Sequence, residues 1–255
     1  MLICLDVGNT HIVVGIYESE EKVSTYRIST NPNMTADELG IKILDIIRYN
    51  NIQANDFDFI VSSVVPKIEI IIKSMVNKYF KKDAIFVGQG IKSGIKIRLD
   101  NPKELGADIL VGAVAACNLY GPNVVVIDMG TAMTLVYVNE KYELMGGTII
   151  PGIRTAFSSL FENAAKLEDV PFEKPKTVIG KDTKTSIQSG MFYGYVSMIE
   201  GLIKKYHDEI GEFKVVLTGG ESQLLKDLFK DKDKYIFDNE LLVKGLRILY
   251  NKNKK

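Results

Sequence analysis

The sequence predicts an α/β protein made of two similar halves, each a mixed sheet flanked by helices. The leading observation is a duplicated phrase. Leu5–Glu18, LDVGNTHIVVGIYE, is answered by Ile127–Glu140, IDMGTAMTLVYVNE, 122 positions later in a chain of 255 residues. Laid together without gaps, both read apolar run, Asp, any residue, Gly, a short hydroxyl-bearing turn and a second apolar run ending in Glu. Stacked solenoid repeats recur every ~20–50 residues, so this offset marks a duplicated half-molecule instead. Strand-like runs also alternate with helical periodicity in both halves, the pattern of a mixed α/β layer. With 46% hydrophobic residues, the chain has enough apolar side chain for two cores of ordinary size.

In the first half Leu2–Leu5, His11–Glu18 and Lys22–Ser29 read as three strands, the first two joined by the Gly8–Thr10 turn. Their tight connections make an antiparallel meander. Thr35–Tyr49 carries Leu39, Ile43, Ile46 and Ile47 at helical spacing, and Thr35 with Glu38 forms a capping box at its front. The run Phe57–Val65 follows, then a helix over Lys67–Phe80 after Pro66, then a short strand at Ala84–Val87. Pro102–Leu119 reads as one long helix whose Gly106, Ala107, Gly112, Ala113, Ala115 and Ala116 let other backbones come close, and Gly121-Pro122 ends it.

The programme then restarts. Val124–Ile127, Met133–Val138 and Tyr142–Met145 are strands, Pro151–Leu167 and Ile187–His207 helices, Lys214–Leu217 a strand and Leu241–Tyr250 a closing helix. The domain boundary therefore falls near Tyr120, dividing the chain into residues 1–120 and 121–255. Glu168–Lys184, rich in Lys, Pro and Thr, predicts a loop, and Asn251–Lys255 a frayed tail.

Lys plus Arg number 32 and Asp plus Glu number 32, so no basic excess marks nucleic acid as the main partner, and a small ligand is expected. The two cysteines, Cys4 and Cys117, lie inside apolar runs, and with two histidines they make no zinc-type cluster. They read as buried thiols. No charged leader with a long apolar stretch opens the chain, and no span approaches the ~20 apolar residues of a membrane helix. A cytoplasmic protein in a reducing compartment, without membrane contact, is the expectation.

An Asp ending a buried strand, followed by a glycine turn into a second strand, sets a carboxylate beside exposed backbone N–H groups. Such N–H groups bind phosphate oxygens, while the Asp repels phosphate and faces the bound Mg²⁺ or its waters. Gly8 and Gly130 permit close approach where a side chain would block it. A single Asp-x-Gly is more often an ordinary hairpin turn with a solvated Asp; two copies at matched positions reverse that and favour the ligand. A third glycine element, Val215–Glu221 or VVLTGGE, delivers a strand into Thr-Gly-Gly at a helix start, where a ribose or adenine can lie against bare backbone. Together the three suit a nucleotide held in a cleft between two domains.

Asp6–Thr10, Asp128–Thr131 and Leu217–Gly220 resemble the first phosphate loop, second phosphate loop and adenosine loop of the actin, hexokinase and Hsp70 superfamily, whose two domains are ribonuclease H-like. Within it the chain resembles the type III pantothenate kinases. LDVGNTHIVVGIY, SSVVP, IKSGIKIRLDNPKELGAD, VIDMGTAMT, GGTIIPGI, IGKDTKTSIQSG and LTGGES occur in that family's order and spacing over nearly the whole chain.

The resemblance implies ATP-dependent phosphorylation of pantothenate to 4′-phosphopantothenate, the first step of coenzyme A biosynthesis. It makes Asp108 the general base, although by its chemistry alone Asp108 is equally a first-turn acid favoured by the helix dipole. It implies that Asp6, Val7, Gly8, Asn9, Thr10, His11, Ile12 and Val13 bind the ATP phosphates, with Asp6 facing Mg²⁺ and His11 open to either a phosphate contact or a spacer role. Gly130 and Thr131 bind ATP from the second loop, and Asp128 holds a monovalent cation, K⁺ or NH₄⁺. Leu99, Gly106, Ala107, Asp108 and Ile109 form the pantothenate site. Thr183 matches a threonine that reaches the site of the other subunit, so a homodimer is expected.

Two positions depart from the family pattern: Ile109 stands where Arg is usual, and Leu99 where Tyr is common. An Arg gives a carboxylate bidentate, charge-assisted hydrogen bonds and Ile gives none, a difference of about 2–4 kcal/mol. Arg98 and Lys103 are the neighbouring cations, though neither reproduces that geometry. Two rival readings follow: a kinase that accepts a different hydroxyl substrate, and a nucleotide-binding transcriptional accessory factor without turnover. Lys181, Lys184, Lys204, Lys205 and the Lys230–Lys234 segment would have to form the basic stripe of such a regulator; as a solvated lysine-rich face they carry no such meaning.

Overall fold

The computed structural model describes residues 1–19, 23–52, 56–163 and 170–254. Lys22, Leu167 and Glu168, which bound a predicted strand, helix and loop, and the terminal Lys255 lie outside the described residues. The chain forms two compact units, Met1–Leu119 with Glu240–Lys255, and Tyr120–Asn239. A linear boundary at 120 therefore misplaces the closing helix, which belongs with the first unit.

In the first unit β1 (Leu2–Val7), β2 (His11–Tyr17) and β3 (Val23–Ser29) form the predicted antiparallel meander, and β4 (Asp58–Ser63) and β5 (Ile85–Phe86) extend the sheet in parallel, in the order β3-β2-β1-β4-β5. Helix α1 (Ala36–Tyr49) starts at the predicted capping box. The Thr35 N–H donates to Glu38 Oε2 at 2.6 Å and the Glu38 N–H to Thr35 Oγ1 at 3.1 Å. Helix α2 (Pro66–Met75) continues as a π-turn over Val76–Phe80 and stops at Lys81 in the left-handed conformation. Ile3, Leu5, Ile12, Ile43, Phe59 and Ile72 are fully or almost fully buried in one core with α1 and α2. Cys4 and Cys117 are free and buried, as expected, and burial raises both thiols, Cys117 to about 11.

After the short strand β6 (Lys96–Ile97), the predicted helix over Pro102–Leu119 divides. Pro102–Glu104 is a 3₁₀ turn, Leu105 is extended, and helix α3 begins only at Ala107, running to Tyr120. A proline start followed by an extended residue cannot carry one helix through. The break places Asp108 in the first turn of α3.

The closing helix α7 runs Leu241–Asn253, further than predicted, because its last turn is tied down. Asn253 Nδ2 donates to the Leu249 carbonyl at 2.8 Å and to the Lys92 carbonyl at 3.1 Å, and its Oδ1 accepts from the Lys92 N–H at 2.9 Å. Two glycines let this helix lie close. A Cβ on Gly15 would strike Val243, and one on Gly245 would lie 2.5 Å from the Val111 carbonyl oxygen.

The second unit repeats the plan. β7 (Val124–Met129), β8 (Ala132–Val138) and β9 (Glu143–Pro151) are antiparallel neighbours, while β10 (Lys214–Thr218) and β11 (Tyr235–Phe237) extend the sheet in parallel from β7. Val125, Ile127, Leu135, Phe192, Ile199 and Leu217 form its core. Strand β9 runs past the predicted Met145 to Pro151, so helix α4 begins at Ile153 and is described to Asn163. Helix α5 spans Thr183–Ile210, four residues earlier than predicted. Asp182 caps it, accepting from the Thr185 N–H at 2.7 Å, with Thr185 closing a capping box. A four-residue helix α6 (Ser222–Leu225) follows the Thr-Gly-Gly turn.

The seating of α7 gives a stability test. Gly245→Ala is expected to lower the thermal midpoint by the equivalent of about 1–3 kcal/mol through overpacking. Gly201→Ala in α5, where a Cβ meets nothing within 4 Å, is expected to hold or raise it by up to about 1 kcal/mol. Equal midpoints in scanning calorimetry would refute the close packing of α7.

Candidate functional site

In the first unit, Asp6 and Val7 lead into the turn Gly8-Asn9-Thr10, and His11, Ile12 and Val13 return along β2. Asp6 pairs with Val13 and Val7 with Ile12. The Gly8 N–H closes the turn on the His11 carbonyl at 3.0 Å. Thr30 braces it from the next strand: its N–H donates to the Thr10 carbonyl at 2.9 Å and its hydroxyl to the Gly8 carbonyl at 2.7 Å. Asn9, Thr10 and His11 are thereby presented to solvent while Asp6 is half-buried. A Cβ on Gly8 would lie 3.4 Å from the His11 carbonyl oxygen, an ordinary contact, and Gly8 is outside the left-handed region. The fold itself has no need of glycine there.

The second unit builds the matching turn, one residue shorter. Asp128 pairs with Thr134 and Met129 with Met133, and the Gly130 N–H donates to the Ala132 carbonyl at 3.1 Å. The gapless match of the two halves therefore holds as far as the glycine and then slips by one. Thr10 and Thr131 each precede the residue whose carbonyl closes the turn, and both are exposed. Gly130 resembles Gly8: its nearest Cβ neighbour would be 3.5 Å away.

Two further segments of this unit hold the turn. At the β9–α4 junction the Gly152 N–H (3.0 Å) and the Thr155 hydroxyl (2.7 Å) both donate to the Thr131 carbonyl. Gly152 packs so tightly that a Cβ would drive into the Gly130 carbonyl and lie 2.7 Å from that of Thr131. From the other side Gly219, at φ +89°, lies against Asp128 and Met129; a Cβ would come within 2.5 Å of Asp128 Oδ1. The Glu221 N–H donates to the Met129 carbonyl at 3.4 Å. Arg154 closes the arrangement, Nε donating to Glu221 Oε1 at 2.6 Å with its guanidinium 4.3 Å from the centroid of the Phe172 ring. At Gly220, by contrast, a Cβ would meet nothing within 4 Å among the described residues.

Asp128, Gly130, Thr131 and the Leu217–Gly220 turn are thus brought together, as the sequence predicts. Gly152, Thr155, Arg154 and Glu221 were not singled out by the sequence reading. The Pro-Gly of GGTIIPGI is the signal that could have found the first of them.

Asp108 is half-buried at the front of α3, its Oδ1 accepting from the Ile109 N–H at 2.8 Å. Burial raises its carboxyl above the ordinary aspartate range, and the backbone hydrogen bonds from Ile109 and Asp108 only partly offset this. A Cβ on Gly106 would strike Asp108 Oδ1, so glycine is what lets the carboxylate fold back over the chain. Gly106, Ala107, Ile109 and Leu99 are half-buried, and Arg98 and Lys103 are exposed. Thr183 lies apart from these along the chain, exposed at the first position of α5. The segment before it is knotted by Thr177 Oγ1 donating to the Ile179 carbonyl at 3.0 Å and by the Lys181 N–H donating to Thr185 Oγ1 at 3.0 Å.

Among the described residues no three His, Cys, Asp or Glu converge into a metal cage. The half-buried Asp6 and Asp128 are hard oxygen donors, a type that both Mg²⁺ and monovalent cations accept.

A family model described as Type III pantothenate kinase matches residues 2–205. Among solved structures, the chain is similar to a Campylobacter jejuni protein named as a Baf family transcriptional activator, at 19% identity and TM-score 0.59 over 98% of each chain. It is also similar to the activator of 2-hydroxyisocaproyl-CoA dehydratase from Clostridium difficile with bound ADPNP, at 11% identity and TM-score 0.58, covering 99% of this chain and 96% of that one. A third is MreB 5 of Spiroplasma citri bound to AMPPNP, at 7% identity and TM-score 0.54, covering 98% and 96%. At these identities the likeness establishes the shared actin-like ATPase fold.

The glycines separate into two kinds, which mutation can tell apart. Gly8→Ala and Gly130→Ala are expected to keep the thermal midpoint within about 2 °C of wild type and to lose affinity for a nucleoside triphosphate by at least ~10-fold. Gly152→Ala and Gly219→Ala are expected to lower the midpoint itself, because their Cβ atoms meet backbone. Normal nucleotide affinity in Gly8→Ala, measured by calorimetry, would remove the first turn from the site.

Proposed function

Since the chain belongs to the type III pantothenate kinase family, we propose that it transfers the γ-phosphoryl group of ATP to the primary hydroxyl of pantothenate, yielding 4′-phosphopantothenate. The observation that carries this reading is Asp108, a half-buried carboxylate fixed by the Ile109 N–H at the start of α3 with its proton affinity raised by burial. Those are the properties of a general base.

The acceptor hydroxyl oxygen attacks the γ-phosphorus as the bond to the bridging oxygen breaks. ADP leaves with that electron pair, and the hydroxyl proton passes to Asp108. Backbone N–H groups of the Gly8 and Gly130 turns orient the phosphates, and the Leu217–Gly220 turn lies against the adenosine. Mg²⁺ supplies charge neutralisation at the phosphates when bound, with Asp6 facing it; a monovalent cation takes Asp128. Ile109 offers the substrate carboxylate no cation. That favours a second reading, in which the same machinery acts on a hydroxyl substrate recognised without its acid.

Incubation with ATP, Mg²⁺, K⁺ and pantothenate is expected to give 4′-phosphopantothenate by mass spectrometry, and Asp108→Asn none. Because Asp108 must be ionised to act and its pKa is raised, kcat/KM should climb with pH through a value above that of an ordinary aspartate. Charging this group costs the folded state stability as pH rises, so Asp108→Asn should be at least as stable as wild type at pH 7. No product from pantothenate, alongside product from its alcohol analogue pantothenol, would establish the second reading.

We further propose a homodimer in which Thr183 meets the partner's substrate. Val178 (63% exposed) and Ile179 (81% exposed) support it, standing apolar and uncovered just ahead of Thr183. Light scattering is expected to show a dimer for wild type and a monomer for Ile179→Asp; a wild-type monomer at micromolar concentration would refute the assembly.

A further inference from the structure

Each half of the chain places a buried hydroxyl beside the carboxylate of its glycine turn. In the first unit β1 and β4 run parallel with Asp6 in register with Ser62; in the second β7 and β10 run parallel with Asp128 in register with Thr218. Side chains alternate between the two faces of a strand, so in-register parallel neighbours share a face on strands ~4.8 Å apart. Ser62 is 0% exposed and Thr218 1%, and among the described residues neither Ser62 Oγ nor Thr218 Oγ1 has a hydrogen-bond partner.

Buried hydroxyls are ordinarily paired, and the adjacent ones here are. Ser63 Oγ bonds both the N–H (3.1 Å) and carbonyl (3.2 Å) of Val65, and Ser222 Oγ bonds Gly219 and Asn239. Of the two serines in SSVVP, one builds the turn and the other is left over. The residue type differs between the halves while the hydroxyl is kept, so the chemical group, and not a particular packing volume, is what the two positions share.

We propose that Ser62 and Thr218 are positioning residues for cations. Each hydroxyl supplies, with the carboxylate one strand away, a second oxygen for a cation or its bound water beneath the glycine turn. Ser62 acts with Asp6 on the divalent ion that accompanies the nucleotide, and Thr218 with Asp128 on the monovalent ion. The proposal rests on the kinase reading above, and it gives the two units different ion dependences from one repeated design. Hydroxyl oxygen is a hard donor suited to both ions and serves equally as an acceptor for a coordinated water.

The test measures ATP affinity by calorimetry across a Mg²⁺ titration and, separately, a K⁺ titration at constant ionic strength, with thermal midpoints in parallel. Ser62→Ala is expected to raise the half-saturating Mg²⁺ concentration by ~10-fold and leave the K⁺ curve in place. Thr218→Val is expected to do the reverse, and Thr218→Ser to restore the wild-type K⁺ curve. Both variants should melt at or above the wild-type temperature, since each removes an unpaired buried hydroxyl. Wild-type cation curves in both variants would overturn the proposal. So would a lowered midpoint with both curves displaced together, the mark of a packing role. Failure of wild-type protein to bind ATP at any Mg²⁺ concentration would instead refute the nucleotide reading, and the proposal with it.

Discussion

In each unit one strand has an antiparallel neighbour on one side and a parallel neighbour on the other, and everything at the site hangs on that strand. For β1 the neighbours are β2 and β4; for β7 they are β8 and β10. The antiparallel side supplies a tight turn closed by its own glycine N–H. The parallel side can be reached only by a crossover, so it arrives with helices attached and a core beneath it. A carboxylate at the end of such a strand is half desolvated by the sheet and still within reach of a ligand at the turn. An edge strand would leave it fully hydrated, and a strand with two hairpin partners would bring no crossover helix.

The turn must then be rigid without being filled, and the second unit shows how. Its backbone is clamped from both sides by glycines that cannot be anything else: Gly152 on the carbonyls of Gly130 and Thr131, Gly219 on Asp128 and Met129. The glycines of the turn itself have room for a methyl group, so the fold does not itself require them. Preorganised N–H groups are effective toward phosphate because no reorganisation is needed when charge arrives. The Arg154–Glu221 pair carries the same logic outward, tying the start of α4 to the loop after β10.

Much of this was legible in the sequence wherever the cause is local. The Thr35–Glu38 capping box, the apolar runs of β7 and β8 and the repeated Asp-x-Gly each state their conformation within a few residues. What was missed has partly local and partly non-local causes. Leu105 is extended between the Pro102 turn and Gly106, a weak helix former, so α3 starts five residues later than predicted. The Lys- and Thr-rich run before Ile187 looked loop-like, yet Asp182 and Thr185 had the spacing of a cap. The tail holds its helix because Asn253 finds Lys92, 161 residues away. The pairing of Asp6 with Ser62 and of Asp128 with Thr218 is a matter of strand register, which no local pattern announces.

On the proposed kinase reading, Ile109 in the place of the family's usual arginine bears on the base as well as on the substrate. A cation beside a carboxylate lowers its proton affinity, whereas desolvation raises it. With arginine at 109, Asp108 would feel both, and the charge would hold it firmly ionised and weakly basic. With Ile109 the neighbour contributes only a backbone N–H and apolar surface, and burial is left as the largest influence on the carboxyl. Ile109 therefore leaves Asp108 a more proton-avid carboxylate than an arginine neighbour would, which on the proposed reading is a stronger base at the hydroxyl. General-base catalysis gains as the pKa of the base approaches the working pH from below, so under the proposed pantothenate reading part of what is lost in binding the acid would be returned in the proton transfer.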